Sequence, residues 1–145
     1  MNLMKFDIKA TSKTQAKVEV SARNFKMTID EPETLGGEDH GANPVEYLLG
    51  ALAGCLNVVG HIVAKEMNFD FRNLEIEIEG GLNPAKFLGK SSKERTGFQF
   101  IDVKIKPDTD ADEETLKKWI KIIEERCPVS DNIANSTPVK ISLKD

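Results

Sequence analysis

The sequence is poor in several residues that mark protein classes. It has two cysteines, two histidines and one tryptophan among 145 residues, and acidic side chains outnumber basic ones, so that the net charge is −4. A surface that follows nucleic-acid phosphates needs an excess of Lys and Arg, and this balance argues against a general nucleic-acid binder. Two cysteines and two histidines without close spacing also make a poor zinc site.

The amino terminus shows neither the apolar region nor the small-residue cleavage site of a secretory signal. One long stretch, residues 47–64, carries no formal charge, but three glycines, an asparagine and a histidine interrupt it. No basic cluster flanks it, so we interpret it as the central helix of a soluble fold and not as a membrane span. The sequence therefore predicts a cytoplasmic protein.

Short segments of alternating apolar and polar residues predict strands that each bury one face. The predicted strands are residues 5–10, 16–20, 25–29, 69–79, 98–106 and 139–143. The first three, separated by short polar turns, predict an antiparallel meander. Between the fourth and fifth lies a Lys-rich segment, residues 80–96, that has no clear pattern.

Two helices are predicted between these strands. The pair Asn43-Pro44 has a favoured N-cap followed by a residue suited to the first helical position, so a helix should run from Pro44 to about Met67. A second should be capped by Asp110, with Glu113 completing a capping box, and should end at Pro128. The order βββ-α-ββ-α-β with alternating strands indicates an α+β protein with antiparallel sheets, and no linker divides the single domain 1–145.

The two cysteines are the candidates for chemistry. Cys55 lies among apolar residues in the middle of the first helix, and free cysteine often fills a core. A reactive thiol needs a nearby cation, a helix N-terminus or a polarising hydrogen bond. Cys127 either packs at a helix end or acts as a second thiol that condenses with an oxidised Cys55. The residues alone leave both interpretations open.

Two motifs resemble a known family. The run 36–55, Gly-Gly-Glu-Asp-His-Gly-Ala-Asn-Pro-Val-Glu-Tyr-Leu-Leu-Gly-Ala-Leu-Ala-Gly-Cys, looks like the signature of the OsmC/Ohr family, and so does the later Cys127-Pro128-Val129-Ser130. The resemblance implies an OsmC-like fold and an intertwined homodimer, in which antiparallel sheets from both chains wrap around two central helices. Glycines Gly50 and Gly54, one turn apart, would suit a close approach of helices.

The resemblance also implies a cysteine-based peroxidase that acts on organic hydroperoxides and, in some members, on hydrogen peroxide. Cys55 would attack the peroxide bond, and Cys127 would resolve the resulting sulfenic acid. A dithiol, either a lipoyl group or a thioredoxin-like protein, would reduce the disulfide. The family's chemistry involves no metal and no organic cofactor.

This sequence departs from the pattern of the peroxidases at two assisting positions. In the peroxidases a Glu directly follows the Asn-Pro pair, whereas here Val45 follows it and the carboxylate comes at Glu46. One residue on a helix turns the side chain by about 100°. The assisting Arg is expected near Lys13, and Arg23, the only arginine before the helix, comes about ten residues later. Glu46 and Arg23 are the candidates for these roles.

Three hypotheses follow. The first is a thiol peroxidase that uses Cys55 and Cys127. The second is a binding protein on the same scaffold without efficient turnover, because its assisting residues are displaced. The third is a protein in which both thiols are buried and inert.

Overall fold

The computed structural model describes residues 1–145. The chain divides into two compact units, residues 1–50 and 51–145, and the boundary falls inside the first long helix. The elements are β1 (Lys9–Ser12), β2 (Val18–Ala22), β3 (Phe25–Ile29), a 3₁₀ turn (Glu33–Leu35), α1 (Pro44–Glu66), β4 (Asn73–Gly81), β5 (Phe100–Asp108), α2 (Glu113–Arg126) and α3 (Pro128–Ala134). The predicted α+β class and antiparallel meander are confirmed.

The first unit contains a three-stranded antiparallel sheet in the order β1-β2-β3. β2 and β3 form a hairpin in which Ala22 lies opposite Phe25, so that only Arg23 and Asn24 make the turn. Arg23 has a φ of 56°, a left-handed conformation that is uncommon outside glycine and that the tight turn imposes. β1 begins four residues after its predicted start, and residues 1–8 are exposed outside any strand.

The second unit is built around one apolar core. α1 buries the stripe of residues that recur at helical spacing, and these pack with α2 and with the inward face of the β4–β5 pair. The centre of this core is Trp119, which is 1% exposed and whose Nε1 donates a 2.8 Å hydrogen bond to the carbonyl of Gly60. A Cβ at Gly60 would lie 3.2 Å from the Trp119 ring, so the glycine permits this close packing.

Helix α1 is long and apolar enough to cross a membrane by length and composition alone. The same test is passed by the core helix of a soluble protein. Its buried residues in the second unit are Leu52, Leu56, Val59, Gly60, Val63 and Ala64, and they pack in the core just described.

Two sequence predictions were wrong. Residues 139–143 form no strand, because no strand of this chain pairs with them, and their apolar side chains are exposed. The N-cap of α2 is Asp112, whose Oδ1 accepts from the Thr115 N–H at 2.8 Å, while Asp110 pairs with Arg72 instead. Pro128 does end α2, but it also occupies the first position of α3, where its missing N–H costs nothing.

Candidate functional site

Cys127 lies between α2 and α3 and is 1% exposed. It is the N-cap residue of α3, and its Sγ accepts a weak hydrogen bond from the backbone N–H of Ser130 at 3.4 Å. Pro128 fixes this geometry because it cannot continue α2 and suits the start of α3. The sequence motif Cys-Pro-Val-Ser therefore has a local structural meaning: it turns the chain and holds the sulfur at a helix start.

Cys55 lies half-buried on α1 and packs against the same core as Cys127. Burial, first of all, raises the pKa of Cys127, and the neighbouring Cys55 thiol raises this pKa further through direct contact and charge. Backbone hydrogen bonds from Ser130 and Val129 oppose the increase but do not cancel it. The fold thus places two thiols that are 72 positions apart in sequence close enough to interact, and favours the neutral form of Cys127.

An apolar groove of about 390 Å³ lies in the second unit, and neither cysteine lines it. Its lining includes Leu52 and Leu56, which flank Cys55 on α1, and Ser130, whose N–H contacts the Cys127 sulfur. Its polar lining consists of Ser130 and the two acidic residues Asp102 and Glu124. The other lining residues are Leu52, Leu56, Ile101, Val103, Ile105, Ile120, Ile123, Ile133 and Ala134.

Glu46, the candidate for the assisting carboxylate, forms hydrogen bonds at the start of α1. Its Oε2 accepts from the Asn43 N–H at 2.8 Å, and the Asn43 Oδ1 accepts from the Glu46 N–H at 2.9 Å. This reciprocal pair is a capping box with Asn at the cap. The Asn-x-x-Glu spacing that signals it is visible in the sequence.

Arg23 lies at the tip of the β2–β3 hairpin in the first unit. Its guanidinium carbon sits 4.9 Å from the centre of the Phe25 ring, and it forms no ion pair. This cation–π contact holds the side chain along its own hairpin. The activating role of Arg23 toward Cys55 stays a prediction.

The sequence analysis missed a buried carboxylate in the first unit. Asp30 is completely buried, and its oxygens accept from three backbone N–H groups: Glu31 at 2.8 Å, and Glu38 and His40 at 3.2 Å each. Burial raises the pKa of Asp30, but the three hydrogen bonds and the Lys17 charge outweigh it, and the net pKa is lowered. The ionised Asp30 carboxylate therefore stabilises the loop between β3 and α1 through hydrogen bonds from its backbone N–H groups.

A small polar cluster lies above this loop. Lys17 Nζ lies 3.1 Å from Glu38 Oε2 and 3.1 Å from His40 Nδ1, and the same glutamate oxygen is 3.4 Å from His40. Glu38 is exposed to solvent and forms an ion pair with Lys17. No group of three or more His, Cys, Asp and Glu side chains is arranged to hold a metal ion.

Solved structures share this fold. An OsmC-like protein from Mycoplasma pneumoniae superposes with a TM-score of 0.79 at 20% identity, covering 90% of this chain and 88% of that one. An organic hydroperoxide resistance protein OsmC from Legionella pneumophila superposes with a TM-score of 0.65, also at 20% identity, covering 92% and 91% of the two chains. The OsmC-like fold expected from the sequence motifs is confirmed.

Sequence comparison points the same way. A protein of Mycoplasma genitalium named hydroperoxide reductase is 23% identical over 140 residues, which are 96% of this chain and 94% of that protein. The family model described as OsmC-like protein matches residues 36–142 and thus includes both cysteine motifs. On these grounds the chain belongs to the OsmC-like protein family.

Proposed function

We propose that this protein is a thiol peroxidase that reduces organic hydroperoxides, with Cys55 as nucleophile and Cys127 as resolving thiol. One observation carries the proposal: a half-buried thiol packs against the core that contains a fully buried one and is close enough to raise its pKa. The OsmC-like family and a relative named hydroperoxide reductase support the substrate class.

The proposed cycle has three steps. The Cys55 thiolate attacks the peroxide bond, takes one oxygen to become a sulfenic acid, and releases the alcohol once the leaving oxygen is protonated. Cys127 then displaces the hydroxyl of the sulfenic acid, which forms a disulfide and water. A dithiol, lipoyl or thioredoxin-like, finally reduces the disulfide by thiol–disulfide exchange. A reducing compartment such as the cytoplasm would supply that dithiol.

The environment of Cys127 suits a resolving thiol. A raised pKa keeps it protonated near neutral pH, and only the thiolate attacks peroxides efficiently. With 1% exposure it is also shielded from substrate in solution. Cys127 is therefore protected from peroxide until its neighbour is oxidised.

The apolar groove, which is lined by sequence neighbours of both thiols, supports an organic substrate over hydrogen peroxide. Its apolar lining would bury an alkyl or aryl tail, whereas hydrogen peroxide has no tail to bury. Ile133→Glu places a charge in this lining, and we expect it to slow the reaction with cumene hydroperoxide severalfold. The rate with hydrogen peroxide in the same variant should stay within twofold of the wild-type rate. Equal slowing with both peroxides would mean that the groove does not bind the organic tail.

We also propose that the working form is a homodimer. On α1 the residues Ala51, Gly54, Val58 and Ile62 form an exposed apolar stripe, and a Cβ on Gly54 would meet nothing within 4 Å. Apolar residues in the carboxy-terminal segment are also exposed, with Ile141 and Leu143 almost fully so. Such faces are typical of protein interfaces.

The oligomeric state tests this part of the proposal. Light scattering coupled to size exclusion should give twice the chain mass for the wild type and a single chain mass for Val58→Asp. Lys121→Asp, a charge change at an exposed residue of α2 away from this stripe, serves as the control and should leave the mass unchanged. A wild type that elutes as a monomer at all concentrations would refute the dimer.

A second function remains a candidate because of the two assisting residues. Glu46 is held in the capping box, and Arg23 is held against Phe25. Neither contact provides an activated thiolate, so the same groove could serve a binding protein that does not turn over. This alternative predicts ligand retention without rapid thiol oxidation.

Stopped-flow oxidation of the reduced protein separates the two functions. Mixing with cumene hydroperoxide should remove both thiols stoichiometrically in the wild type. Cys55→Ser should show no rapid loss, while Cys127→Ser should react at the wild-type rate but accumulate sulfenic acid, which a dimedone probe captures. A wild-type rate no higher than that of free cysteine would refute the peroxidase and favour the binding protein.

A further inference from the structure

The β4–β5 connection, residues 82–99, is unusually long for an antiparallel pair. Part of it folds into a compact turn, with hydrogen bonds from Leu88 N to Pro84 O at 3.0 Å and from Lys90 N to Ala85 O at 2.8 Å. Gly89, with a φ of 76°, closes the turn in the left-handed conformation. This connection contains most of the Lys-rich segment 80–96, to which the proposed peroxidase chemistry assigns no role.

The turn presents two neighbouring apolar side chains to solvent. Phe87 is 67% exposed and Leu88 is 53% exposed, and they lie together at the apex of the turn. Single exposed apolar residues are normal in proteins, but an aromatic and an aliphatic residue side by side on a protruding loop leave a patch that water solvates poorly.

The basic residues of the same connection are free of acidic partners. Lys86, Lys90 and Lys93 form no ion pair, in contrast to the lysines of α2, of which Lys117 and Lys118 pair with glutamates one turn earlier. The one acidic residue of the connection accepts hydrogen bonds from neutral groups of Asn83 and Ser92. The connection is thus locally basic in a chain whose net charge is −4.

We propose that residues 82–99 dock the protein on an anionic membrane surface. Phe87 and Leu88 would enter the boundary between headgroups and acyl chains, and the three unpaired lysines would lie among the anionic headgroups. Apolar side chains flanked by cations are the pattern by which peripheral proteins bind such surfaces. Charge complementarity selects this occupant, because two of the free cations, Lys86 and Lys90, occupy the same short turn as the apolar pair, and Lys93 follows three residues later.

The acidic remainder of the chain gives the docking a direction. An anionic surface repels the net negative charge of the chain and attracts the basic connection. The connection, residues 82–99, would therefore face the lipid. This attraction acts over about one Debye length, roughly 10 Å at 0.1 M salt, and binding should weaken as salt is added. The inference does not depend on the peroxidase chemistry.

Vesicle sedimentation with the full chain tests the proposal. The wild type should sediment with vesicles that mix phosphatidylcholine and phosphatidylglycerol, and much less with phosphatidylcholine alone. Phe87→Ser/Leu88→Ser should lower the vesicle partition coefficient at least tenfold. Lys86→Gln/Lys90→Gln should lower it severalfold. The matched control Lys65→Gln/Lys121→Gln removes two exposed, unpaired lysines elsewhere and should bind as the wild type does.

Circular dichroism of each variant verifies the fold before binding is compared. Equal sedimentation with both kinds of vesicle, no sedimentation with either, or equal loss in the control variant would overturn the proposal. A wild type that does not bind vesicles but whose molar mass falls in Phe87→Ser/Leu88→Ser would also overturn it, and would assign the apolar pair to an interface with a second copy.

Discussion

The two units of the chain bury different chemistry. The first buries a carboxylate, Asp30, and satisfies it with three backbone N–H groups and a nearby lysine. The second buries an indole and a thiol, Trp119 and Cys127, in a core whose other fully buried members are aliphatic. A charge inside a protein is tolerated only when hydrogen bonds replace its water, whereas apolar burial needs shape and volume alone. The first unit therefore depends on directed bonds, and the second on packing.

The largest effect should come from removing the centre of the apolar core. Trp119→Ala leaves a large cavity, and we expect a loss of about 3–5 kcal/mol in the free energy of unfolding. Trp119→Phe keeps much of the ring but removes the indole N–H that donates to the Gly60 carbonyl, and the lost hydrogen bond and ring volume should cost about 1–3 kcal/mol. Urea unfolding followed by circular dichroism measures both, and equal losses would mean that packing contributes little here.

A matched pair of glycine substitutions compares the rigidity of the two units. A Cβ at Gly37 would lie 1.8 Å from the Glu31 carbonyl oxygen, which is backbone, whereas at Gly60 the nearest atom is a ring edge at 3.2 Å. We expect Gly37→Ala to lose about 1–3 kcal/mol through overpacking. Gly60→Ala should lose less, because alanine gains helix propensity of about 1 kcal/mol. The reverse order would contradict this comparison.

Acid should act on the first unit through Asp30. Its folded pKa lies below its ordinary value, so its ionised form stabilises the fold above about pH 4 and this stabilisation disappears as the pH falls through the folded pKa. Asp30→Asn should lower the melting temperature at pH 7, because an amide nitrogen would face backbone donors. The variant should also lose less stability than the wild type between pH 7 and pH 3. Parallel melting curves across that range would show that Asp30 is not ionised in the fold.

The smallest effect concerns the start of α1. Asn43→Ala removes one half of the capping box, and we expect a loss of about 1 kcal/mol. Glu46→Gln keeps an acceptor for the Asn43 N–H and should change stability by a few tenths of that. If Glu46→Gln instead abolishes thiol oxidation by peroxide while stability is retained, Glu46 has a catalytic role beyond its cap.

The difference between the units also explains what could be predicted from sequence. Alternation identified the five strands that pair within the chain, because burying one face leaves a regular pattern. The Asn43-Pro44 pair marked the start of α1. The strand expected at 139–143 has the same alternation, but no pattern shows whether a pairing partner exists in the same chain. Element ends shifted by two to four residues, as for β4, whose predicted start was residue 69 and whose actual start is Asn73.

The candidate site divides in the same way. The proposed partnership of Cys55 with Cys127 came from family motifs and not from spacing, since sequence distance says nothing about contact. Asp30 was not foreseen, because its partners are backbone groups whose identity leaves no mark in the sequence. The capping role of Glu46 could be predicted from its position three residues after Asn43.

The single tryptophan and the single tyrosine of the chain fall in different units. Trp119 is sealed in the core of the second, and the Tyr47 hydroxyl donates to the Thr28 carbonyl at 2.8 Å in the first. Each unit thus has its own chromophore. Trp119 fluorescence and the near-ultraviolet absorbance of Tyr47 should report two melting transitions, and their coincidence or separation would reveal whether the halves unfold cooperatively.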